Sequence, residues 1–266
     1  MRNLTCTTAD EELFQDNPTD YIRKDMEGSD QHTRRRSAME LVRALLKQFA
    51  PQVSALCEAH MGSLLEQYAA GGGRNWRLKD AALHLLLASA ARNATCTELN
   101  PLVQVQSAFT AHVLPEVQMT NGDVSVRPVL KADALKLLCL FRTHLPGPFL
   151  VSLLPAVMAH LRSRSVVVQT YAALTLERWL SIKDASPSGV QVPRVPAEHL
   201  HAHLDTLFTT LFAVLENVEL PENDHVMKVR TFTNIVRYVV AYLIRLISNL
   251  SAAFVVFLLR RPSCGS

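Results

Sequence analysis

Apolar positions recur with the period of a helix along nearly the whole chain. After Ala38, the residues Leu41, Val42, Leu45 and Phe49 define one helical face. Beyond Pro51 a second stripe runs through Val53, Leu56, Cys57, Met61, Leu64, Leu65 and Tyr68. Pro51 suits the first turn of that second helix, where a missing N–H costs nothing, and Gly71-Gly72-Gly73 ends it. Strand-like alternation comes nearest at Val124 to Val129, which reads as loop.

The helices also resemble one another. An Ala-x-x-Leu step is expected to open the buried face at Ala38/Leu41, Ala82/Leu85, Ala134/Leu137 and Ala173/Leu176, at intervals of 44, 52 and 39 residues. Periods of about 40–47 residues with two helices each mark HEAT or armadillo arrays. The longest interval holds the polar stretch Asn93 to Asn100 and the turn Asn121-Gly122-Asp123, consistent with an insertion. The pattern predicts an all-α superhelix of about four to five helix pairs. Its second (B) helices are expected at 52–70, 99–117, 149–162 and 198–217. A non-repeating helical domain rich in Leu and Ala would share part of this signature. In a repeat array, each pair buries its apolar face only by leaning on its neighbours.

Composition narrows the class. Apolar residues make up 48% of the chain and charged residues 19%, which excludes wholesale disorder. Only 9 glycines and 6% aromatic residues argue against sandwiches, barrels and propellers. A net charge of +3 is too small to imply nucleic acid. Cys6, Cys57, Cys96, Cys139 and Cys264 are widely spaced, odd in number and without a CxxC pair, so reduced thiols are expected rather than disulfides or zinc. No hydrophobic run follows Met1, so no secretory signal is expected, and the sequon at Asn93 is read as inert.

The most unusual stretch is acidic. Asp10, Glu11, Glu12, Asp16, Asp20, Asp25, Glu27 and Asp30 face only Arg23 and Lys24, and Arg34-Arg35-Arg36 follows directly. Asn17-Pro18 marks a turn, and Tyr21-Ile22 offers an anchor to a neighbouring surface. Two readings stand. Either the segment is a solvated loop near a helix N-terminus, or the acids together with Arg34, Arg35 and Arg36 meet a partner surface. Other candidates are weaker. His199 and His203 lie one helical turn apart, yet neither an HExxH pattern nor a nearby cysteine supports a metal, and a solvent-facing pair on a B helix is expected. Gly71-Gly72-Gly73-Arg74 lacks the spacing and Lys-Ser/Thr of a phosphate loop. With no catalytic constellation, neither an enzyme, a cofactor nor a metal is expected. The 21 residues from Val239 to Leu259 carry Arg245 as their only charge, long enough to cross a bilayer; the opposing readings are a core helix or a segment outside the folded domain.

Several longer words carry a resemblance. They are the stretch from Asp10 to Leu45, including DNPTDYIR, EGSD and RRR, then NWRLKDAALHLL from Asn75, PVLKADALKL from Pro128, VVVQTYAALTLERW from Val166 and ENDHVMK from Glu222. In this order the chain resembles the central part of the importin-alpha exporters in the importin-beta (karyopherin-beta) family. The resemblance implies an acidic insertion of a central repeat in residues 1–30, HEAT repeats over 31–228, and an apolar tail, 229–266, outside the family pattern. It further implies a shuttling receptor of nucleus and cytoplasm that binds importin-alpha and the GTP form of Ran without being the GTPase. Where the family carries Glu-Glu before Tyr-Ile-Arg, this chain has Thr19-Asp20, which keeps one acid. Family members are several times longer, so the repeats that supply much of their Ran contact are not expected here. Outside the resemblance, the alternatives are a helical scaffold with no Ran dependence, and a protein anchored in a membrane by its tail.

Overall fold

A computed structural model describes residues 3–27, 33–118, 127–186 and 189–215. The apolar run 239–259, Asp30, Cys264 and the 222–228 word lie outside the described residues.

Helices dominate, in the order α1 (Thr8–Asp16), α2 (Pro18–Ile22), α3 (Arg34–Ala70), α4 (Trp76–Ala90), α5 (Val105–Ala108), α6 (Leu114–Val117), α7 (Pro128–Leu140), α8 (Gly147–Ala159), α9 (Val166–Leu180), α10 (Ala197–His201) and α11 (Leu204–Leu215). A π-helical turn, Arg23–Glu27, prolongs α2, and another, Phe109–Val113, joins α5 to α6. The first half of α3, then α4, α7 and α9, pack side by side as consecutive first (A) helices. The second half of α3, α5–α6, α8 and α11 follow them in the chain as B helices. All four Ala-x-x-Leu steps therefore fall on A helices.

The boundaries show local chemistry at work. Thr33 caps α3 by accepting from the Arg36 amide at 3.2 Å. The single long α3 contains the break that Pro51 announces, because Phe49 leaves helical geometry at φ −130°, ψ 44°. Gly71 closes it, and Gly72 and Gly73 take positive φ, which glycine adopts without a Cβ clash.

The second B helix starts at Val105 rather than 99, since Ala91 and Leu99 form an isolated bridge and Asn100 turns the chain. The predicted loop 124–129 is corrected at its end, for Val129 is buried in the first turn of α7, after Pro128; residues 124–126 lie outside the described set. Two short strands went unforeseen. β1 (Lys183–Ala185) pairs antiparallel with β2 (Gln191–Pro193). Arg194 fixes this hairpin by gripping Asp184 at 2.8 and 2.5 Å and donating to the carbonyls of Arg142, Thr143 and Leu145.

The largest core cluster runs through α4, α7, α8 and α9, with Trp179, Tyr171, Phe109 and Phe141 fully buried. Polar staples tie neighbouring repeats together: Trp179 Nε1 donates to Leu138 O and Thr175 Oγ1 to Leu135 O, both at 3.2 Å. Within one repeat, Lys79 Nζ of the A helix donates to Glu116 of the B helix at 2.7 Å. His160 Nε2 lies 3.0 Å from Val117 O, and burial pulls its pKa down to about 4, so the ring is neutral and Nε2 donates. Cys6, Cys57, Cys96 and Cys139 are free thiols and buried. Burial raises Cys6 to about 12 and Cys96 to about 11, which leaves both unreactive. No helix among the described residues is long and apolar enough to cross a membrane.

Candidate functional site: the acidic strap

The acidic segment is not a solvated loop. Residues 3–27 form a strap that starts against α3 and α4 and ends at α9. Leu4 packs with Cys57 and Leu85, and the amide of Cys6 donates to Asp80 on α4 at 2.7 Å. Thr7 and Asp10 form a capping box that starts α1. Asn17 ends α1, and its side chain then caps α2 by accepting from the Asp20 amide, with Pro18 in the first turn. Phe14 and Tyr21 stack edge to face at 5.0 Å, and both join the core with Ile22. The Tyr21-Ile22 anchor expected from sequence is thus in place.

The strap is latched by charge at several points. Asp10 pairs with Arg34 at 3.0 Å, and Glu11 pairs with Arg77. Asp25 reaches furthest, meeting Lys136 Nζ on α7 at 2.5 Å and accepting from the Tyr171 hydroxyl on α9 at 2.6 Å. Burial alone would raise the Asp25 pKa, but the Lys136 charge and the two hydrogen bonds outweigh it and hold the carboxyl at about 2.

Beside this latch lies a buried polar core. Arg35 of α3 donates to both oxygens of Asp80, at 2.8 and 2.9 Å. His84 Nε2 sits 3.3 Å from Arg35 Nη1, and its Nδ1 sits 3.0 Å from the Asp80 carbonyl. Arginine can only donate, so Nε2 accepts and the ring carries its proton on Nδ1. This agrees with a His84 pKa pushed well below normal, first by burial and then by the Arg35 charge. Burial and the Asp80 charge push Asp133 well above the usual carboxylate range. Asp80 is raised as well, by burial, though Arg35 and the Cys6 amide oppose that. Asp133 therefore holds the proton, while Asp80 is the ionised partner of Arg35.

Asp80, His84 and Asp133 lie close enough together to suggest a metal site. Their donors are committed elsewhere, however. Both Asp80 oxygens take Arg35, both His84 nitrogens are engaged, and among these ligand atoms only Asp133 Oδ2 is left without a partner. A dication would have to displace a guanidinium, so the trio reads as a structural network.

The acids named from sequence thus separate into three kinds. Asp10, Glu11 and Asp25 are internal latches, with Arg34 and Arg35 as part of the same framework. Asp20 is held locally, between Arg23 at 2.6 Å and Asn17. Glu12 and Asp16 are exposed. Glu27 lies in the π-turn, and Arg36 is half-buried in the first turn of α3. The expected His199/His203 pair is broken up. His199 is exposed on the short α10, and His203 sits in the turn before α11, where its amide donates to Leu200 O.

Sequence reasoning missed Asp80, His84, Asp133, Lys136 and Tyr171. The signal was present as charged residues inside helices that are otherwise apolar all round. Lys79-Asp80 opens LKDAALHLLL, and Lys131, Asp133 and Lys136 interrupt the stretch from Val129 to Leu140. A helix that is hydrophobic on every face is buried, so its few charges must find partners inside.

Helix pairs stacked in register, with a strap fastened along the A helices, define a HEAT-repeat solenoid, a class that binds along extended surfaces. The Cse1 family model matches residues 1–176, and the chain belongs to the Cse1 family. Exportin-2 of Xenopus laevis and Exportin-2 of Homo sapiens are each 36% identical to it over 255 residues. Exportin-2 of Pagrus major is 38% identical over 258 residues. Each alignment covers 94% of this chain and 26% of the relative, so the chain spans about a quarter of the curated relatives' length. The solved structure of the exportin Cse1 in its cargo-free, cytoplasmic state matches with a TM-score of 0.71 and 28% identity, over 90% of this chain and 24% of that one.

Proposed function

We propose that this chain is a central segment of a nuclear export receptor, one that returns importin-alpha from nucleus to cytoplasm together with Ran in its GTP form. The observation that supports it most is the latched acidic strap, which lies inside the region matched to the Cse1 family. In this reading the protein shuttles between the two compartments, and it acts by binding rather than by chemistry. Its outward acids, Glu12 and Asp16, are the strap residues available to a basic partner surface, since Asp10, Glu11 and Asp25 are spent on the chain itself.

The test is a pull-down with GTP-loaded Ran and importin-alpha, using a full-length Exportin-2 as positive control. Retention of importin-alpha by the chain supports the reading. Capture by the full-length control alone restricts the activity to the longer relatives. Glu12→Gln/Asp16→Asn should lower the capture, and more so in dilute salt, because the screening length falls from ~10 Å at 0.1 M to ~3 Å at 1 M.

A further inference from the structure

Between the strap and α3 there is a cleft of about 290 Å³ that none of the interactions above fills. Among the described residues five cations line it, Lys24, Arg35, Arg36, Arg43 and Lys136, against the carboxylates of Asp25 and Glu40. Three of the cations are spoken for. Arg35 is held by Asp80, Lys136 by Asp25, and Arg43 by Glu40 and the carbonyl of Ala91. Among the described residues neither Lys24 nor Arg36 has a carboxylate partner.

Two further features favour negative charge at this place. Thr33 also lines the cleft, so α3, a helix of 37 residues, begins there with its positive dipole end. Arg35 Nε is buried without a hydrogen-bond acceptor. An orphaned buried donor in an electropositive cleft is a vacancy for an acceptor of concentrated charge. Among the described residues no aromatic ring lines the cleft to stack a nucleobase.

We propose that this cleft binds a phosphoryl anion, with Lys24 from the strap and Arg36 from α3 as its two principal ligands. The inference rests on the cleft alone and does not depend on the transport reading. Bound there, the anion bridges strap and α3 and strengthens the docking of the strap. The same chemistry arrives either as a free oligophosphate or as a phosphorylated side chain of a partner, and the experiment separates the two sources.

The 266-residue chain is titrated calorimetrically with pyrophosphate and, in parallel, with a short phosphoserine peptide. The variants are Lys24→Ala/Arg36→Ala and, as a control for bulk charge, Lys47→Ala/Arg162→Ala at two exposed sites away from the cleft. A single saturable site is expected for at least one probe, and the tighter probe identifies the source. Loss of two charge-assisted hydrogen bonds should weaken binding about tenfold or more in Lys24→Ala/Arg36→Ala, with no change in the control. Amide exchange in residues 17–27 should slow when the ligand is bound. Circular dichroism melts confirm that both variants fold. No saturable binding of either probe, equal binding by the cleft variant, or an equal loss in the control overturns the proposal.

Discussion

Helices α3 and α9 carry the same sequence signal and bury it differently. On α9, Ala173 and Leu176 are each 2% exposed, and on α7 Ala134 and Leu137 are equally enclosed. On α3 the matching step leaves Leu41 61% exposed, and Leu45, Phe49 and Leu56 are 41%, 55% and 68% exposed. The face of α3 that turns inward instead carries Arg35, Arg43 and Leu46, with Met39 and Val42 half-buried. The difference is one of neighbours. Helix α7 is covered by α4 on one side and α9 on the other, whereas among the described residues α3 packs chiefly on α4, with the start of the strap beside it. Helical periodicity therefore reports which face is apolar, and the position in the stack decides whether anything covers it. The inward face of α3 carries the buried Arg35–Asp80 pair beside Leu46 and Cys57, whereas the α7–α9 seam is closed mainly by packed side chains.

That contrast makes the ion-paired end the most sensitive to a single truncation. Asp80→Ala should cost about 3–5 kcal/mol in a denaturant melt, because it strands the buried Arg35 guanidinium. The double change Arg35→Met/Asp80→Leu should recover most of that loss, since an apolar pair of similar volume needs no partner. If Asp80→Ala alone is neutral, water reaches Arg35 and the seam between α3 and α4 is looser than its packing implies.

At the packed end, Ala173→Asp should destabilise by roughly 2–4 kcal/mol by placing an unpaired carboxylate beside α7. A neutral melt would show that the seam between α7 and α9 opens to solvent. Asp133→Asn should be far milder than either. Asp133 already holds a proton, so the amide replaces a neutral acid of the same shape.

These residues show how far the sequence could be read. The A and B helices, the break near Pro51, the glycine stop and the Tyr21-Ile22 anchor follow from local rules, and local rules survive folding. Asp25 does not: nothing near it in sequence announces Lys136 or Tyr171, more than a hundred residues away. Long-range ion pairs leave their only trace as charges in helices too apolar to be exposed. The hairpin at 183–193 was missed because three-residue strands are too short to show alternation. The outward face of α3 was read as buried because no local rule counts neighbours.

The Asp25 latch gives the third test, of intermediate size. Its folded pKa of about 2 lies below the ordinary 3.8, so ionised Asp25 favours the folded state. The contribution is complete above about pH 4 and is lost as pH falls through the folded value. A shift of this size corresponds to roughly 2 kcal/mol. Since Asp133 is raised rather than lowered and so acts in the opposite sense, the measurement is a comparison: stability between pH 4 and pH 2 for the native chain and for Asp25→Asn. The variant should show a shallower decline, and amide exchange in residues 17–27 should report it first. Parallel declines in the two proteins would mean that Asp25 is solvated and the strap is held by its other contacts, chiefly Phe14, Tyr21 and Ile22.

The smallest effect should come from the exposed face of α3, and it tests the opening contrast most directly. Leu41→Ser and Leu45→Ser each remove an apolar side chain from a helix, which in a repeat seam would cost several kcal/mol. Here both side chains already face water, so little area returns to solvent on unfolding. Serine is a slightly poorer helix former than leucine, and that difference is all that remains. Each change should shift stability by no more than about 0.5 kcal/mol, while Leu46→Ala, on the inward face of the same helix, should cost about 2 kcal/mol or more. The sign of the difference between Leu45 and Leu46, adjacent in sequence and opposite in environment, is the quantity to measure. If Leu41→Ser or Leu45→Ser proves as costly as Leu46→Ala, the outer face of α3 is covered in solution, and a concentration-dependent melt would reveal a second copy of the chain as its cover.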